Sequence, residues 1–391
     1  MLPEYERVRT PYKTALGTNI PNVLNYLKNT GKMNSMRVRL FVAPDPAEAQ
    51  EGVVQDLEYV MKLGKRIKAA GLDFMLDFHY SDTWADPSHQ SIPASWTETG
   101  NTVLTDSMYS YTKRCLEYLV ANEATPDFVQ IGNEISYGML WRNNNDRCYS
   151  SATNSTWKRL TNFLSSAATA VREVTPDAKI ILHIERSGDA NTAVSFFNKM
   201  KTNSVDYDII GLSYYPFWHK SLSTLSGTLT RLATTFPEKP VQIVETAYYN
   251  SNFPVDDSSY ENTTTTWPDT PEGQAQFISD LCTELANHDN VTGLYYWFPE
   301  ENGNGGATYS ESTLVYRHLQ NRGLWDKDTH KVLPALSKMQ EFITNKEALN
   351  INSMEALPTP EDAIYNMCGQ RMQSMSAPGF YICQGKKYLK N

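Results

Sequence analysis

Two glutamates follow short apolar runs, at positions where a carboxyl group could do chemistry. Glu134 comes directly after Asn133 in VQIGNEI (129–135), and Glu245 comes directly after VQIV (241–244). Two carboxyl groups flanking a glycosidic bond can cleave it, one as acid and base and the other as nucleophile, when they are about 5 Å apart. The amide of Asn133 adds a group that can bind a sugar hydroxyl. The two glutamates are therefore candidates for a glycosidase active site.

A dense group of polar and aromatic residues occupies positions 79–96, with the sequence HYSDTWADPSHQSIPASW. Such a loop can line a sugar cleft, because aromatic faces stack on pyranose rings while polar groups bind the hydroxyls. The alternative is a metal site, but the spacing of its candidate ligands matches no strong zinc pattern. Those candidates are His79, Asp82, Asp86 and His89.

Further candidates for the cleft are an arginine pair and a tryptophan. Arg37 and Arg39 alternate in MRVRLFV (36–42), so both side chains point to the same face of a strand. An arginine there can keep a catalytic carboxylate ionised, although a structural ion pair is the alternative interpretation. Trp297 follows the last apolar run and can form a platform under a sugar ring, with a buried core tryptophan as the alternative.

Seven apolar runs alternate with helical patterns and must position these residues. The runs predict strands at 36–42, 74–78, 128–131, 179–184, 209–214, 241–244 and 291–296, and the periodicity predicts helices at 56–70, 107–121 and 156–174. Polar and aromatic residues follow most of the strands, as in a TIM barrel. An open doubly wound sheet would concentrate them at one point beside a glycine-rich turn, which is absent from the sequence. We therefore predict an α/β fold of the (β/α)8 barrel class.

The predicted barrel occupies residues 1–345, followed by a linker at 346–363 and a short β-like tail at 364–391. Because residues 1–13 read as a loop, one strand is missing before the first helix, near 22–30. We hypothesise that Met1 is an internal methionine of a longer product whose signal peptide and first strand lie upstream. The protein would then be exported to the periplasm, the cell surface or the medium. The tail at 364–391 resembles short C-terminal extensions on secreted proteins of some Gram-negative bacteria, and this resemblance also implies export.

Composition excludes several classes of partner. Of the 391 residues 40% are hydrophobic and 20% are charged, as in ordinary globular proteins. The net charge of −9 does not suit nucleic acid, and no apolar run reaches the roughly 18 residues of a membrane span. A neutral or mildly acidic substrate fits better, and we expect a monomer.

Six longer segments resemble the arabinogalactan endo-β-1,4-galactanases of glycoside hydrolase family 53. They occur in the family's order and read MRVRLFVAP (36–44), LDFHYSDTWADP (76–87), VQIGNEISYGMLW (129–141), IGLSYYPFWH (210–219), VETAY (244–248) and GLYYW (293–297). The resemblance spans roughly residues 1–345. It implies a (β/α)8 barrel that cleaves β-1,4-galactan in pectic side chains by double displacement, with retention of configuration and without a cofactor.

The resemblance also implies individual roles. Glu134 becomes the acid/base and Glu245 the nucleophile. The residues implied around the reacting galactose are Arg39, His79, Trp84, Asn133, Tyr215 and Trp297, and those implied to extend the cleft are Trp141, Trp218 and His219. Tyr215 is preferred to Tyr214 because it shares the parity of Ser213.

The chain departs from the family pattern in several places. The family's opening strand is absent before LPEYE (2–6), and Arg142 and Phe298 stand where the family often has proline and glutamate. The loop at 249–272 lacks the dense carboxylates with which some relatives hold calcium. Its remaining candidate calcium ligands are Asp256, Asp257 and Asp269.

Two other interpretations remain open at this point. Another retaining barrel glycosidase, such as a β-mannanase, xylanase or glucanase, would use the same chemistry with different cleft loops. A galactan-binding protein without turnover would keep the cleft and lose hydrolysis.

Overall fold

A curled sheet of seven parallel strands forms the centre of the protein. The computed structural model describes residues 1–149, 152–254, 266–303, 321–352, 364–366, 371–372, 379–383 and 386–390. The strands pair in sequence order and are β1 (Ser35–Leu40), β2 (Asp73–Phe78), β3 (Phe128–Ile131), β4 (Lys179–Ile184), β5 (Ile209–Tyr214), β6 (Val241–Thr246) and β7 (Val291–Tyr296). All seven coincide with the predicted strands to within two residues at each end.

Helices lie between the strands and cover the sheet. In chain order they are α1 (Leu2–Arg7), α2 (Val23–Asn29), α3 (Leu57–Ala69), α4 (Asn101–Ala121), α5 (Asn154–Val174), α6 (Ala190–Thr202), α7 (Pro216–His219), α8 (Leu222–Thr235), α9 (Pro271–Ala286), α10 (Ala335–Lys338) and α11 (Glu341–Asn352). Side-chain caps fix several starts, as where Asp56 accepts a hydrogen bond from the Tyr59 amide at 2.8 Å ahead of α3.

Three predicted boundaries differ from the structure. The helix predicted at 107–121 begins earlier, at Asn101. Residues 1–13 were expected to form a loop, but α1 lies within them because Pro3 is tolerated in a first helical turn and Leu2 and Tyr5 are buried. At the other end α11 runs to Asn352, so the first seven residues of the predicted linker are helical.

The sheet has its two edges at β1 and β7, and no strand of the described residues lies between them. A cavity of about 280 Å³ opens at this seam and is lined from both edge strands. Met1 is buried beside it, with its amino group 2.5 Å from Oε1 of Glu300. Burial lowers the pKa of that amino group, while Glu300 opposes the shift.

The C-terminal residues form a separate antiparallel sheet of four short strands. Its order is β11-β10-β8-β9, with β8 at Ile364–Asn366, β9 at Arg371–Met372, β10 at Gly379–Cys383 and β11 at Lys386–Lys390. Across the described part of the chain, none of the helices has the length and apolar character that crossing a membrane requires. Cys115, Cys148 and Cys282 are buried free thiols.

Candidate active site

Glu134 and Glu245 line the same cleft, at the end of the barrel where the strands finish. The cavity measures about 210 Å³ and is bordered by residues from six of the seven strands and their following loops. The lining residues are Arg37, Arg39, His79, Trp84, Ala85, Asp86, Asn133, Glu134, Tyr215, Trp218, Glu245, Trp297 and Arg322. The predicted pair of carboxyl groups therefore faces a single space.

A strained turn carries Glu134 into the cleft. Gly132 has φ of +83°, and a Cβ atom there would lie 2.7 Å from Cγ2 of Ile135. Glu134 itself has φ of 49° and ψ of 51°, a left-handed conformation that is uncommon for residues other than glycine. Such strain persists only where the surrounding structure enforces it, and it concentrates at functional sites.

A register shift between β5 and β6 places Glu245 opposite Ser213. Leu212 pairs with Ile243, but the next residue, Ser213, pairs with Glu245, so β6 contains one extra residue at this point. A bulge of this kind redirects side chains near active sites.

Glu245 is bound by a cation and a phenol. Arg37 Nη1 donates to Oε1 of Glu245 at 2.8 Å, and the Tyr215 hydroxyl donates to Oε2 at 3.0 Å. Arg37 also forms an ion pair of 2.9 Å with the buried carboxylate of Asp77. Burial opposes the charge on Arg37, but Asp77 and Glu245 outweigh it and raise the pKa of the guanidinium. A guanidinium and a phenol therefore hold the two oxygens of Glu245 in place, as a nucleophilic carboxylate would require.

The carboxyl group of Glu134 is buried and lies near other negatively charged groups. Burial, then the charges of Glu245 and Glu185, raise the pKa of Glu134 well above its ordinary value. The Ser213 hydroxyl donates to Oε1 of Glu134 at 2.6 Å and opposes the shift. A carboxyl group with a raised pKa keeps its proton near neutral pH and can donate it to a leaving group.

Seven of the nine predicted binding residues line the cleft. They are Arg39, His79, Trp84, Asn133, Tyr215, Trp218 and Trp297. The rings of Trp84 and Trp297 lie 6.4 Å apart. His79 is buried, with Nε2 3.1 Å from Oδ2 of Asp77.

Trp141 and His219 lie outside the residues that line the cavity. Trp141 donates from Nε1 to the Tyr137 carbonyl at 3.0 Å, with the guanidinium of Arg147 4.4 Å from its ring centre. His219 is buried and accepts the Tyr215 amide at Nδ1, at 2.9 Å, and burial lowers its pKa to about 3. His219 therefore supports the backbone of Tyr215, and the structure does not place it against substrate.

The two arginines of β1 have different surroundings. Alternation predicts that both side chains lie on the same face of β1, but it does not tell which of them reaches Glu245. The structure places Arg37 on Glu245, whereas Arg39 lies over the ring of Trp84 at 4.0 Å. The arginine that binds Glu245 is thus Arg37, and Arg39 lines the same cleft beside Trp84.

Several site residues were missed by the sequence analysis. Gln130, His183 and Ser213 are buried polar residues on the inner face of β3, β4 and β5, and Arg322 lines the cleft after β7. The available signal was a lone polar residue within each apolar run, since a buried polar group needs a partner.

The proposed metal ligands do not come together among the described residues. Asp256 and Asp257 lie outside them, and Asp269 accepts a hydrogen bond from the Phe253 amide at 3.0 Å. The described part of the chain contains no group of three or more histidine, cysteine or acidic side chains arranged to hold a metal ion. In particular, His89 pairs with Asp86 at 2.9 Å, while Asp82 binds the Ala43 and Ala94 amides.

The family model of glycosyl hydrolase family 53 matches residues 1–339. The chain belongs to this family. As a family 53 member it is a glycoside hydrolase, and the resemblance inferred from the sequence is confirmed.

Relatives and solved structures agree with this assignment to family 53. A probable arabinogalactan endo-β-1,4-galactanase A of Aspergillus tubingensis is 32% identical over 81% of this chain and 85% of its own length. The arabinogalactan endo-β-1,4-galactanase of Thermothelomyces thermophilus is 33% identical over 79% and 90%. The family 53 catalytic domain of Ignisphaera aggregans superimposes with a TM-score of 0.73 at 26% identity, covering 87% of this chain and 93% of that one.

A fungal β-1,4-galactanase structure gives a TM-score of 0.70 at 30% identity and covers 86% of this chain and 95% of its own. These two structures confirm the TIM-barrel class of the family 53 fold. A xylanase from Cellvibrio japonicus, 13% identical with a TM-score of 0.52, shares the fold alone.

Proposed function

We propose that this family 53 hydrolase is an endo-β-1,4-galactanase that cleaves the β-1,4-galactan side chains of pectic arabinogalactan with retention of configuration. The observation that carries the proposal is the pairing of Glu134 and Glu245 in one cleft with opposite surroundings. The substrate follows from the relatives, which are named arabinogalactan endo-β-1,4-galactanases.

In the first half of the reaction Glu134 protonates the oxygen of the leaving sugar, and Glu245 attacks the anomeric carbon. Glu134 can donate this proton because its pKa is raised, so the carboxyl group is protonated before the reaction. Arg37 and Tyr215 orient the attacking carboxylate of Glu245. In the second half Glu134, now ionised, takes a proton from water, and the hydroxide displaces Glu245. The proton count of both carboxyl groups is restored after one turnover.

The aromatic residues of the cleft would hold the galactose units. Trp84, Trp218 and Trp297 are each partly exposed in the cleft, and an exposed ring face can stack against the apolar side of a sugar ring. Arg39 covers one face of Trp84, which leaves the opposite face of that ring for a sugar. Asn133 donates one Nδ2 proton to the Ala85 carbonyl at 2.8 Å, which leaves the second proton of the amide for a sugar hydroxyl. Arg39 and His79 add polar groups at the same cleft.

Export and a monomeric state complete the proposal. A polymeric galactan is too large to enter a cell intact, so its hydrolysis by an endo-acting enzyme requires an enzyme outside the cytoplasm.

The test is release of reducing sugar from debranched β-1,4-galactan by the wild-type protein, Glu134→Gln and Glu245→Gln. We expect rapid hydrolysis by the wild type and losses of several orders of magnitude in both variants. The matched control is Glu341→Gln on α11, where the side chain pairs with Lys338 far from the cleft and activity should persist.

Proton NMR of the first product should show the β-anomer, as retention requires. Hydrolysis of mannan, xylan or glucan in place of galactan would overturn the substrate. Binding of galactan without hydrolysis by the folded protein would overturn the catalytic proposal.

A further inference from the structure

A chain of buried hydrogen bonds leads away from Glu134 into the barrel. The Ser213 hydroxyl lies 2.6 Å from Oε1 of Glu134 and 2.8 Å from Nε2 of His183. On its other side, His183 Nδ1 lies 2.9 Å from Oδ1 of Asn133. Ser213 and His183 are fully buried, so each polar hydrogen in this series of hydrogen bonds needs an acceptor within the protein.

Arg37 fixes the orientation of the two amides that surround His183. Arg37 Nη2 donates to Oδ1 of Asn133 at 2.8 Å, and Arg37 Nε donates to Oε1 of Gln130 at 3.0 Å. Since a guanidinium only donates, each contacting amide atom is an oxygen. The two protons on Gln130 Nε2 are used by Asp77 at 2.6 Å and by the Gly132 carbonyl at 3.0 Å.

These orientations determine the tautomer of His183. Nδ1 lies 2.9 Å from the carbonyl oxygen of Asn133, 3.2 Å from Nε2 of Gln130 and 3.4 Å from the backbone nitrogen of Glu134. The Asn133 oxygen is the nearest of the three and can only accept, and both protons of Gln130 Nε2 have shorter contacts to oxygen, so we assign the proton to Nδ1. Burial, then the charge of Arg37 and the neighbouring His79 and His219, lower the pKa of His183 well below its ordinary value. A neutral ring with a proton on Nδ1 leaves Nε2 as a lone pair that faces Ser213.

We propose that the Ser213 hydroxyl is a two-position switch between Glu134 and His183, and that both are positioning residues for the acid/base step. When Glu134 is ionised, the hydroxyl donates to Oε1 of Glu134. When Glu134 carries its proton, the hydroxyl rotates and donates to Nε2 of His183. Only one O–H bond turns, so no proton is gained or lost within the chain. This inference rests on the proposed acid/base function of Glu134.

The switch stabilises both protonation states that Glu134 must visit. A fixed donor would favour the carboxylate alone and lower the pKa of the acid. The lone pair of His183 gives the same hydroxyl a second acceptor and so preserves the protonated form. The other charged groups that face this pair are Glu245, Glu185 and Asp86 around Glu134, and Arg37, His79 and His219 around His183.

The tautomer can be measured without any enzymatic assay. The full chain, labelled with nitrogen-15 histidine, contains seven histidines, and the His183 resonances can be assigned from their loss in a His183→Gln variant. We expect a proton on Nδ1, a bare Nε2 and no titration between about pH 5 and pH 8, where ordinary histidines titrate. A proton on Nε2 would overturn the proposal.

The switch itself is tested by the basic limb of the pH profile of kcat/KM on galactan, which reports the pKa of the free enzyme's acid. His183→Phe leaves the hydroxyl with Glu134 as its only acceptor, so the limb should move down by about one pH unit. Ser213→Ala removes the donor to the carboxylate and should move the limb up by a similar amount. In the double variant the limb should match that of Ser213→Ala.

Ser187→Ala is the matched control, because that buried hydroxyl donates to the Ser213 carbonyl at 2.5 Å and does not contact Glu134. The basic limb of the kcat/KM profile of this variant should stay at the pH of the wild type. Additive shifts in the double variant would overturn the switch, since His183 would then act on Glu134 without Ser213. If the wild type does not hydrolyse galactan, the proposed function fails while the tautomer measurement still decides the inference. If His183→Phe does not fold, the same measurement decides it.

Discussion

The ends of β3 and β6 each present a glutamate to the cleft, and the two sites differ in almost every partner. At β6, Glu245 meets the guanidinium of Arg37 and the phenol of Tyr215. After β3, Glu134 meets one hydroxyl and the charges of three other carboxyl groups. The same side chain is thus prepared for opposite tasks, because the surroundings determine which of the two keeps its proton.

The backbone differs as much as the side chains do. Glu245 lies within a strand that is hydrogen-bonded on both sides, to β5 and to β7. Glu134 lies on a left-handed turn that carries strain. A nucleophile must point at one carbon atom, whereas an acid/base must serve first a leaving oxygen and then a water molecule. The comparison suggests that the rigid partner network belongs to Glu245 and the proton chemistry to Glu134.

Removing the cation from the Glu245 site should have the largest effect. Arg37→Met leaves Asp77 and Glu245 as buried charges without their guanidinium, which we expect to lower the free energy of unfolding by about 3–5 kcal/mol. Activity on galactan should fall below detection. Urea denaturation and kcat measure the two effects.

The matched control is Arg7→Met, which breaks an exposed ion pair with Glu4 and should cost no more than about 1 kcal/mol. Near-normal activity of Arg37→Met would show that Glu245 does not depend on this cation.

Removing only the phenol should have a smaller effect on the same carboxylate. Tyr215→Phe deletes one hydrogen bond to Glu245 and should lower kcat by about 10- to 100-fold, as expected for a bond to a charged group. KM on galactan should change less than kcat.

Tyr214→Phe provides the neighbouring control, because its hydroxyl donates to the Lys220 carbonyl at 3.0 Å and its ring stacks on Phe277. Equal losses in both variants would indicate a packing effect without any special function of Tyr215.

The smallest effect is expected from a change near Glu134. Glu185 is buried, accepts from Ser136 at 2.5 Å, and its charge raises the pKa of Glu134. Glu185→Gln removes that negative charge, so the pKa of Glu134 should fall and the basic limb of kcat/KM should move down by less than one pH unit. An upward movement of the limb would contradict the assigned sign.

Much of the fold and both candidate catalytic glutamates could be predicted from the sequence. Apolar runs gave the seven strands because parallel strands covered by helices are buried on both faces. Glu134 and Glu245 stood out because each follows such a run. Parity also placed Tyr215, and not Tyr214, towards the interior, and the structure has its hydroxyl on Glu245.

Other features depend on how deep a side chain lies in the barrel and on the register between neighbouring strands, and the sequence does not reveal either. Alternation placed Arg37 and Arg39 on one face, but their layer in the barrel decides which of them meets Glu245. The extra residue in β6 that aligns Glu245 with Ser213 left no signal in the sequence. The family resemblance implied that His219 extends the cleft, yet the short helix α7 turns its ring onto the Tyr215 backbone.

The position of Arg37 has a consequence for inactivation by heat. This arginine, which contacts Glu245, Asn133 and Gln130, stands on β1, and within the described sheet β1 is hydrogen-bonded only to β2. A strand held on one side opens locally at a lower free energy than a central strand does. For the sheet as described, we therefore expect heating to disturb the alignment of Glu245 while the six other strands are still folded, so that activity is lost before the sheet unfolds.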